Sequence, residues 1–157
     1  MGSFILARVI HVLGVVFWIG GVAMVTTVLL PAVRRFKDPR ERVAFFEAVE
    51  ARFARQSRWS TLITGLSGLY MLNYLHGWAW IHQWSHWWIG AMILVWAIFT
   101  LMLFVLEPLV LRRLLRARAA RDPDGTFVFI QSMHWVLLLL SLIAVAGAVA
   151  GSHGRPF

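Results

Sequence analysis

Five of the six histidines of this chain fall at or near one end of its four long apolar segments. These five are His11, His76, His82, His86 and His153. Neutral imidazole is a good ligand for haem iron, copper and zinc, and an ionisable side chain in or beside hydrocarbon usually has a function. Histidines with no common role would be spread over both ends of the segments. The distribution therefore indicates a cofactor or metal site at this end.

The first apolar segment places His11, Gly14, Trp18 and Gly21 at positions i, i+3, i+7 and i+10, so they share one helix face. A glycine one turn from a histidine leaves a shallow recess, which a flat macrocycle needs when a helix ligates its iron. The alternative is that the glycines let two helices approach closely. His11 lies about 10 Å below the outer surface at 1.5 Å per residue, where a neutral imidazole is favoured. The combined pattern favours a haem site.

A site for haem b with two imidazole ligands needs a second histidine from the outer end of another helix. His76 ends the second apolar segment and His86 begins the third. His86 is the preferred partner because the residues after it clearly descend into the bilayer. Gly65 and Gly68 lie one turn apart in the second segment and would accompany this site.

The same end of the protein offers an alternative copper site, because imidazole is also a copper ligand. The candidate copper ligands are His11, His76, His82 and His86. In the haem interpretation, His82 and His153 are expected to be solvated loop residues. No cysteine is present, which excludes disulfides, iron–sulfur clusters and covalent c-type haem attachment.

His134 lies apart from the other histidines, roughly 10 Å into the fourth segment from the opposite end. We interpret it as a hydrogen-bonded structural histidine or as a proton relay or single ligand. Its candidate neighbours are Gln131, Arg58, Trp59 and Glu107. Glu107 precedes a proline near the inner end of the third segment, and we expect it to form an ion pair with Arg112 or Arg113. A role in proton uptake is the second interpretation of Glu107.

The elements that must position these residues follow from composition. Hydrophobic residues make up 60% of the chain and the mean hydropathy is +0.73, which is too high for a water-soluble domain of this length. Four segments each reach or approach the ~20 residues that cross a bilayer as a helix. They are Phe4–Pro31, Trp59–Ile81, Trp84–Leu111 and Phe127–Gly151. The second segment is the weakest of the four. The sequence predicts one all-α membrane domain over residues 1–157, an antiparallel bundle of four transmembrane helices.

Thirteen of the fifteen basic residues lie in two connections, between the first two segments and between the last two. By the positive-inside rule both connections are cytoplasmic and both termini are periplasmic, in a bacterial inner membrane. The net charge of +8 therefore indicates topology and contact with anionic lipid, not nucleic-acid binding.

The first basic connection carries the signals of a helix of its own. Asp38, Pro39 and Glu41 supply an N-cap acid, a proline at the first helical position and a glutamate three residues after the cap. Apolar residues then recur at helical spacing from Phe46 to Phe53. These features predict an amphipathic cytoplasmic helix between spans 1 and 2, or a cytoplasmic extension of span 2.

The run from Leu6 to Gly21, with His11 followed seven residues later by Trp18-Ile-Gly-Gly, resembles the first helix of the copper-resistance D (CopD) family. It is also similar to HemJ-type protoporphyrinogen oxidases. The HemJ resemblance implies that His11 is a haem ligand, and the CopD resemblance implies copper uptake. HemJ proteins also carry a lysine in their third helix, whereas the only lysine here is Lys37, in a connection.

These observations lead to one expected function and two alternatives. The expected function is electron transfer by a haem b protein between a membrane quinol, or a partner subunit, and the periplasmic side. The alternatives are a copper-uptake or resistance protein, and a structural subunit of a larger membrane complex or homo-oligomer without cofactor.

Overall fold

Four helices form the part of the chain that a computed structural model describes, residues 1–152. We number them α1 (Gly2–Phe36), α2 (Pro39–Tyr74), α3 (Trp84–Ala119) and α4 (Pro123–Ser152). A short 3-10 segment, Gly77–His82, connects α2 to α3. His153 lies outside the described residues.

Helices α1, α3 and α4 are each long and apolar enough to cross a membrane. Large apolar side chains along these helices are exposed on the outside of the bundle, as lipid contact requires. The sequence-based prediction of an all-helical membrane protein agrees with this architecture. Three of its four spans correspond to these helices.

Helix α2 differs from the other three because it is long but, by composition, is not among the helices that are apolar enough to cross a membrane. The amphipathic helix and the second span predicted from the sequence are one continuous helix, Pro39–Tyr74, which begins after Asp38 as expected. Its second half carries a row of buried hydroxyl side chains, which lowers its hydropathy. They are Ser57, Ser60, Thr61, Thr64 and Ser67.

Helices α1 and α2 run antiparallel and pack along most of their length. The rings of Phe4 and Tyr74 lie 5.2 Å apart at one end of the pair. Midway, Gly14 lies against Thr64, and the Gly21 backbone meets the Phe53 ring further along. The small residues at these crossings let the two backbones approach closely.

Helices α3 and α4 form a second antiparallel pair. The indole rings of Trp87 and Trp88, at the start of α3, pack over Gly147 and Gly151, near the end of α4. A third tryptophan connects the two pairs. Trp96 of α3 covers Gly65 of α2, and its Nε1–H donates to the Thr61 carbonyl at 3.0 Å.

The interior holds two apolar clusters, one in the middle of the bundle and one nearer the charged connections. The middle cluster contains Trp18, Ile19, Val22, Val95, Phe99, Leu137, Leu138 and Ala144. The second contains Val25, Leu30, Val33, Val43, Phe46, Leu115, Phe127 and Ile130. We call the end with the connections at residues 37–38 and 120–122 the basic end, and the end with residues 75–83 the aromatic end.

The basic half of α3 is wound as a π-helix over Met102–Leu111, with Pro108 inside it. In a π-helix each N–H donates to the carbonyl five residues earlier, and proline has no N–H. The Leu103 carbonyl therefore lacks this partner, and the Arg58 Nε–H donates to it at 3.1 Å. A side chain of α2 thus satisfies a backbone group of α3.

We predict that Gly14→Leu destabilises the bundle, because a Cβ at this position would lie 2.5 Å from the Thr64 hydroxyl oxygen. Overpacking of this kind costs about 1–3 kcal/mol. Gly20→Leu is the matched control, since a Cβ there meets nothing within 4 Å. Thermal unfolding in detergent measures both. Equal melting temperatures for the two variants would contradict the close approach of α1 and α2.

Candidate functional site

His11 is partly buried and faces α2 in the aromatic half of the bundle. Its Nδ1–H donates to the Thr64 carbonyl at 2.9 Å, and the Ser67 hydroxyl oxygen lies 3.3 Å from the same nitrogen. The Ser67 O–H itself donates to the Ile63 carbonyl at 2.6 Å. A histidine whose Nδ1 carries the proton has an unprotonated Nε2, the form that ligates a metal. We call His11, Thr64 and Ser67 the His11 site.

The glycines predicted to make room for a macrocycle are instead packed against protein atoms. Gly14 lies against Thr64, and the Trp96 indole fills the space over Gly65. The His11 ring itself occupies the space over Gly68, where a Cβ would lie 3.0 Å from its Cε1. The three glycines thus lie at close contacts between helices or side chains, and Gly68 is the one that borders the His11 ring.

Trp18 shares a helix face with His11 but lies in different surroundings. It is two turns nearer the basic end and only 4% exposed, with its ring edge-on to Phe99 at 5.0 Å. Its Nε1–H has no hydrogen-bond partner among the described residues. Trp18 therefore belongs to the middle cluster, away from the His11 site.

The histidines of the aromatic end lie at its periphery. His76 is exposed and ends α2 with a left-handed backbone, φ 52°, and His82 is exposed in the connection. His86 is partly buried between the Trp80 and Trp88 rings, at 5.5 and 5.0 Å. Its Nδ1 lies 3.0 Å from the Ser85 hydroxyl.

The described residues contain no group of three or more His, Cys, Asp or Glu side chains that could hold a metal ion. The four candidate copper ligands are therefore not gathered into one such group. A protein site for a bare metal ion usually needs three or four side-chain ligands. Haem iron needs only one or two, because the porphyrin supplies four nitrogens.

A second group of polar side chains lies in the basic half. Glu107 is 6% exposed and accepts from Arg112 at 2.6 Å, which confirms the predicted ion pair. It also accepts from Arg58 at 3.4 Å, one of the residues proposed as a neighbour of His134. Two guanidinium groups thus neutralise one buried carboxylate.

His134 lies beside this ion-pair group, against a residue that the sequence analysis did not single out. Its Nδ1–H donates to the Ile130 carbonyl at 2.8 Å, and its Nε2 lies 4.0 Å from Oε1 of Glu50. The Phe46 ring meets the imidazole edge-on at 5.5 Å. We call Glu50, Arg58, Glu107, Arg112 and His134 the acid–histidine site.

Glu50 lies in the charged half of α2, outside the predicted spans. Burial, followed by the nearby carboxylates of Glu107 and Glu47, raises the pKa of Glu50 from 4.5 to about 7, and Arg112 partly offsets this. The carboxyl is therefore poised to gain or lose a proton near neutral pH. One sequence feature indicates the burial of Glu50, because this acid lies on the apolar helix face that Phe46 and Phe53 define.

A narrow cavity of about 50 Å³ joins the acid–histidine site to the middle of the bundle. Glu50, Glu107 and His134 line its basic end, and Ser57 and Trp18 line it further in. Apolar side chains, including Phe99 and Met133, form the remaining walls. The Ser57 hydroxyl is buried and, like the Trp18 indole, has no partner among the described residues.

Comparisons of the chain with protein-family models, with curated proteins and with solved structures find no match. The resemblance of the first helix to CopD and HemJ proteins thus stays a prediction from the sequence, and these comparisons identify no family.

We predict that Glu50→Gln makes stability less dependent on pH. Because the folded pKa of about 7 exceeds the unfolded value, the wild type loses stability as pH rises from about 4.5 to about 7. Glutamine cannot ionise, so at pH 8 the variant should have a free energy of unfolding higher than that of wild type by an amount on the order of 1–3 kcal/mol, and therefore a higher unfolding temperature. At pH 4 the two proteins should differ little.

Thermal unfolding in detergent at both pH values measures this difference. Glu41→Gln is the control, since Glu41 is exposed on the same helix, in its first turn, and its replacement should lower stability by at most about 1 kcal/mol at either pH. A Glu50→Gln variant no more stable than wild type at pH 8 would show that Glu50 ionises freely in the folded protein.

Proposed function

We propose that the chain is a four-span protein of a bacterial inner membrane, with α2 as the span that composition alone does not identify. The buried hydroxyls of α2 support this, because they face the other helices and not the surroundings of the bundle. The basic connections support a cytoplasmic location for the basic end and a periplasmic location for both termini.

Reporter fusions test this topology. A fusion after Lys37, before α2, should report the cytoplasm, a fusion after Gln83, between α2 and α3, should report the periplasm, and a fusion after Arg118, at the basic end of α3, should report the cytoplasm. The first two fusions test α2 directly, because the same signal from both would mean that α2 does not cross the bilayer. Reversed signals from all three would invert the orientation and leave the number of spans unchanged.

We further propose that the protein binds haem b in its aromatic half, with His11 as an axial ligand. The observation that supports this most directly is the hydrogen bond from His11 Nδ1–H to the Thr64 carbonyl. A backbone acceptor on one ring nitrogen fixes the tautomer and orientation of the imidazole and strengthens the other nitrogen as a ligand. The chemistry of the His11 site therefore fits iron ligation by one helix.

The copper alternative receives less support than haem. A copper site would need several of the outer histidines together, and the described residues do not contain such a group. A single oriented imidazole is sufficient for haem. The described residues thus give more support to haem than to copper, because the porphyrin supplies four of the iron ligands.

His86 is the proposed second ligand, ahead of His76. Stacking on Trp80 and the contact with Trp88 place its ring among the side chains of the aromatic end, whereas His76 is exposed. When bound, haem would supply a one-electron carrier, and two imidazole ligands would leave no open position for a substrate. In this proposal, the residues of the protein hold the two imidazole rings in place and exclude water from the face of the haem that His11 ligates.

This arrangement suits electron transfer between a membrane quinol, or a partner subunit, and the periplasmic side. It gives no support to an enzymatic reaction on the iron, protoporphyrinogen oxidation included. The exposed apolar surface leaves room for lipid, for a second copy of the chain or for partner subunits.

We predict that His11→Ala abolishes haem retention. The measurement is the reduced-minus-oxidised absorption spectrum of the protein purified from cells supplied with haem precursor. His82→Ala is the matched control, because His82 is exposed at the same end, and it should retain the wild-type spectrum. Equal pigment in both variants would exclude His11 as a ligand.

The second ligand is tested in the same way. His86→Ala should leave haem bound with an open coordination position, which changes the spectrum from low-spin to high-spin, whereas His76→Ala should not. The converse result would assign His76. A colourless wild-type protein with stoichiometric copper would favour the copper alternative, and a protein with neither would favour a structural subunit.

A further inference from the structure

Several polar groups follow one face of α2 from the acid–histidine site into the middle of the bundle. Glu50, Ser57, Thr61 and Thr64 stand at i, i+7, i+11 and i+14, close to one line along the helix. Their spacing covers about 21 Å at 1.5 Å per residue. The line ends beside His11, which donates to the Thr64 carbonyl.

The hydroxyls on this line have no hydrogen-bond partner among the described residues. Ser57 Oγ, Thr61 Oγ1 and Thr64 Oγ1 are all buried and unpaired there, with residue exposures of 2%, 0% and 4%. Leaving a buried polar group unpaired is costly, so such groups are usually satisfied by protein atoms or by ordered water. The Trp18 Nε1–H and the Thr100 hydroxyl, also unpaired, come from the two neighbouring helices.

A cavity at the basic end of this line, beside Glu50 and Ser57, provides the space that water needs. At about 50 Å³ it has room for a few water molecules. Its walls include Glu50 and His134 at one end and the unpaired groups of Ser57 and Trp18 further in. These polar groups are the donors and acceptors that would hold a short chain of water.

We propose that Glu50, His134 and the hydroxyl line of α2 form a hydrated proton path that takes up protons at the basic end and leads toward the centre of the bundle. This path does not rest on the proposed haem, because Glu50, His134, Ser57 and Thr61 all lie outside the His11 site, which the line meets only at Thr64.

The pairing of Glu50 with His134 gives the path its proton-accepting group. His134 Nδ1–H donates to the Ile130 carbonyl, so the neutral ring presents Nε2, 4.0 Å from the Glu50 carboxylate. A single proton can reside on the Glu50 carboxyl or on His134 Nε2, and its transfer between them leaves the number of protons bound by the pair unchanged. Glu47, Glu107, Arg58 and Arg112 are the other charged groups around this pair. α1 contributes Trp18 and Val22 to the cavity wall.

A wide groove between α2 and α3 lies beside this pair. It has a volume of about 860 Å³ and is lined by Glu47, Ala51 and Arg112 among others. Arg112 also holds Glu107, so the groove reaches the edge of the acid–histidine site. Protons can therefore arrive from the basic end without crossing the apolar clusters.

Cysteine accessibility tests whether water reaches the hydroxyl line, and the chain has no native cysteine to interfere. Ag⁺, which is close to water in size, reacts with thiols only where water carries it. In the purified full chain, Ser57→Cys should react with Ag⁺ and afterwards resist maleimide labelling in denaturant. Ser141→Cys is the matched control without water access, since Ser141 is similarly buried but its hydroxyl donates to the Leu137 carbonyl. After Ag⁺ treatment, this variant should still react fully with maleimide in denaturant.

Thr61→Cys serves as the second variant in case Ser57→Cys does not fold. Full maleimide labelling of every folded line variant after Ag⁺ treatment would overturn the hydrated path.

Infrared spectroscopy tests the proton-accepting group. The wild type should show a carboxylic C=O band that disappears as pH rises through about 7, and Glu50→Gln should remove it while Glu41→Gln keeps it. Absence of such a band in the wild type, or its persistence in Glu50→Gln, would overturn the assignment of Glu50. Neither measurement involves pigment, so failure here is distinguishable from failure of the haem proposal.

Discussion

The hydroxyl-bearing face of α2 is buried inside the bundle, and the other helices are arranged so that they cover it. In the proposed four-span topology this cover is needed because hydrocarbon offers no hydrogen bonds to Ser57, Thr61 and Thr64. α1 covers it on one side, where Gly14 allows a close approach to Thr64. α3 covers it on the other, where Trp96 lies over Gly65 and donates to the Thr61 carbonyl. The exposed surfaces of α1, α3 and α4 are correspondingly apolar.

The same constraint explains why charge is concentrated in the basic half. Pro108 interrupts the backbone hydrogen bonds of α3, and the Arg58 side chain, which donates to the Leu103 carbonyl, compensates for this. A guanidinium placed there needs a counter-charge, which Glu107 supplies together with Arg112. Glu107 is the buried member of this group, since the Arg58 and Arg112 side chains are 30% and 44% exposed. Removing the arginines would therefore leave a buried carboxylate without its counter-charge, which is strongly destabilising. The ion pair, the proline and the π-helix therefore act as one unit.

Much of the fold could be predicted from the sequence because lipid imposes simple rules on helix length and apolar content. Three candidate spans follow from these rules. The start of α2 after Asp38 follows from its capping signals, and the pairing of Glu107 with Arg112 from their closeness along the chain. The part of the pattern that depends on packing was harder to interpret. Gly65 and Gly68 have the same local signature whether they border a cofactor or a side chain, and only the fold shows that Trp96 and His11 occupy them. Glu50 was missed because it comes near His134 only through the packing of α2 against α4.

The two sites occupy opposite halves of the bundle, and the physical demands on their histidines differ. His11 is oriented by a backbone carbonyl of α2 and has no carboxylate among its hydrogen-bond partners, which suits a neutral ligand with a fixed tautomer. His134 is oriented by a carbonyl of its own helix, and its second nitrogen faces Glu50, which suits an imidazole that exchanges a proton. Because α2 contributes the acceptor at one site and the acid at the other, a change in its position would alter both. The unpaired hydroxyls lie between these two sites, on the segment of α2 that joins them.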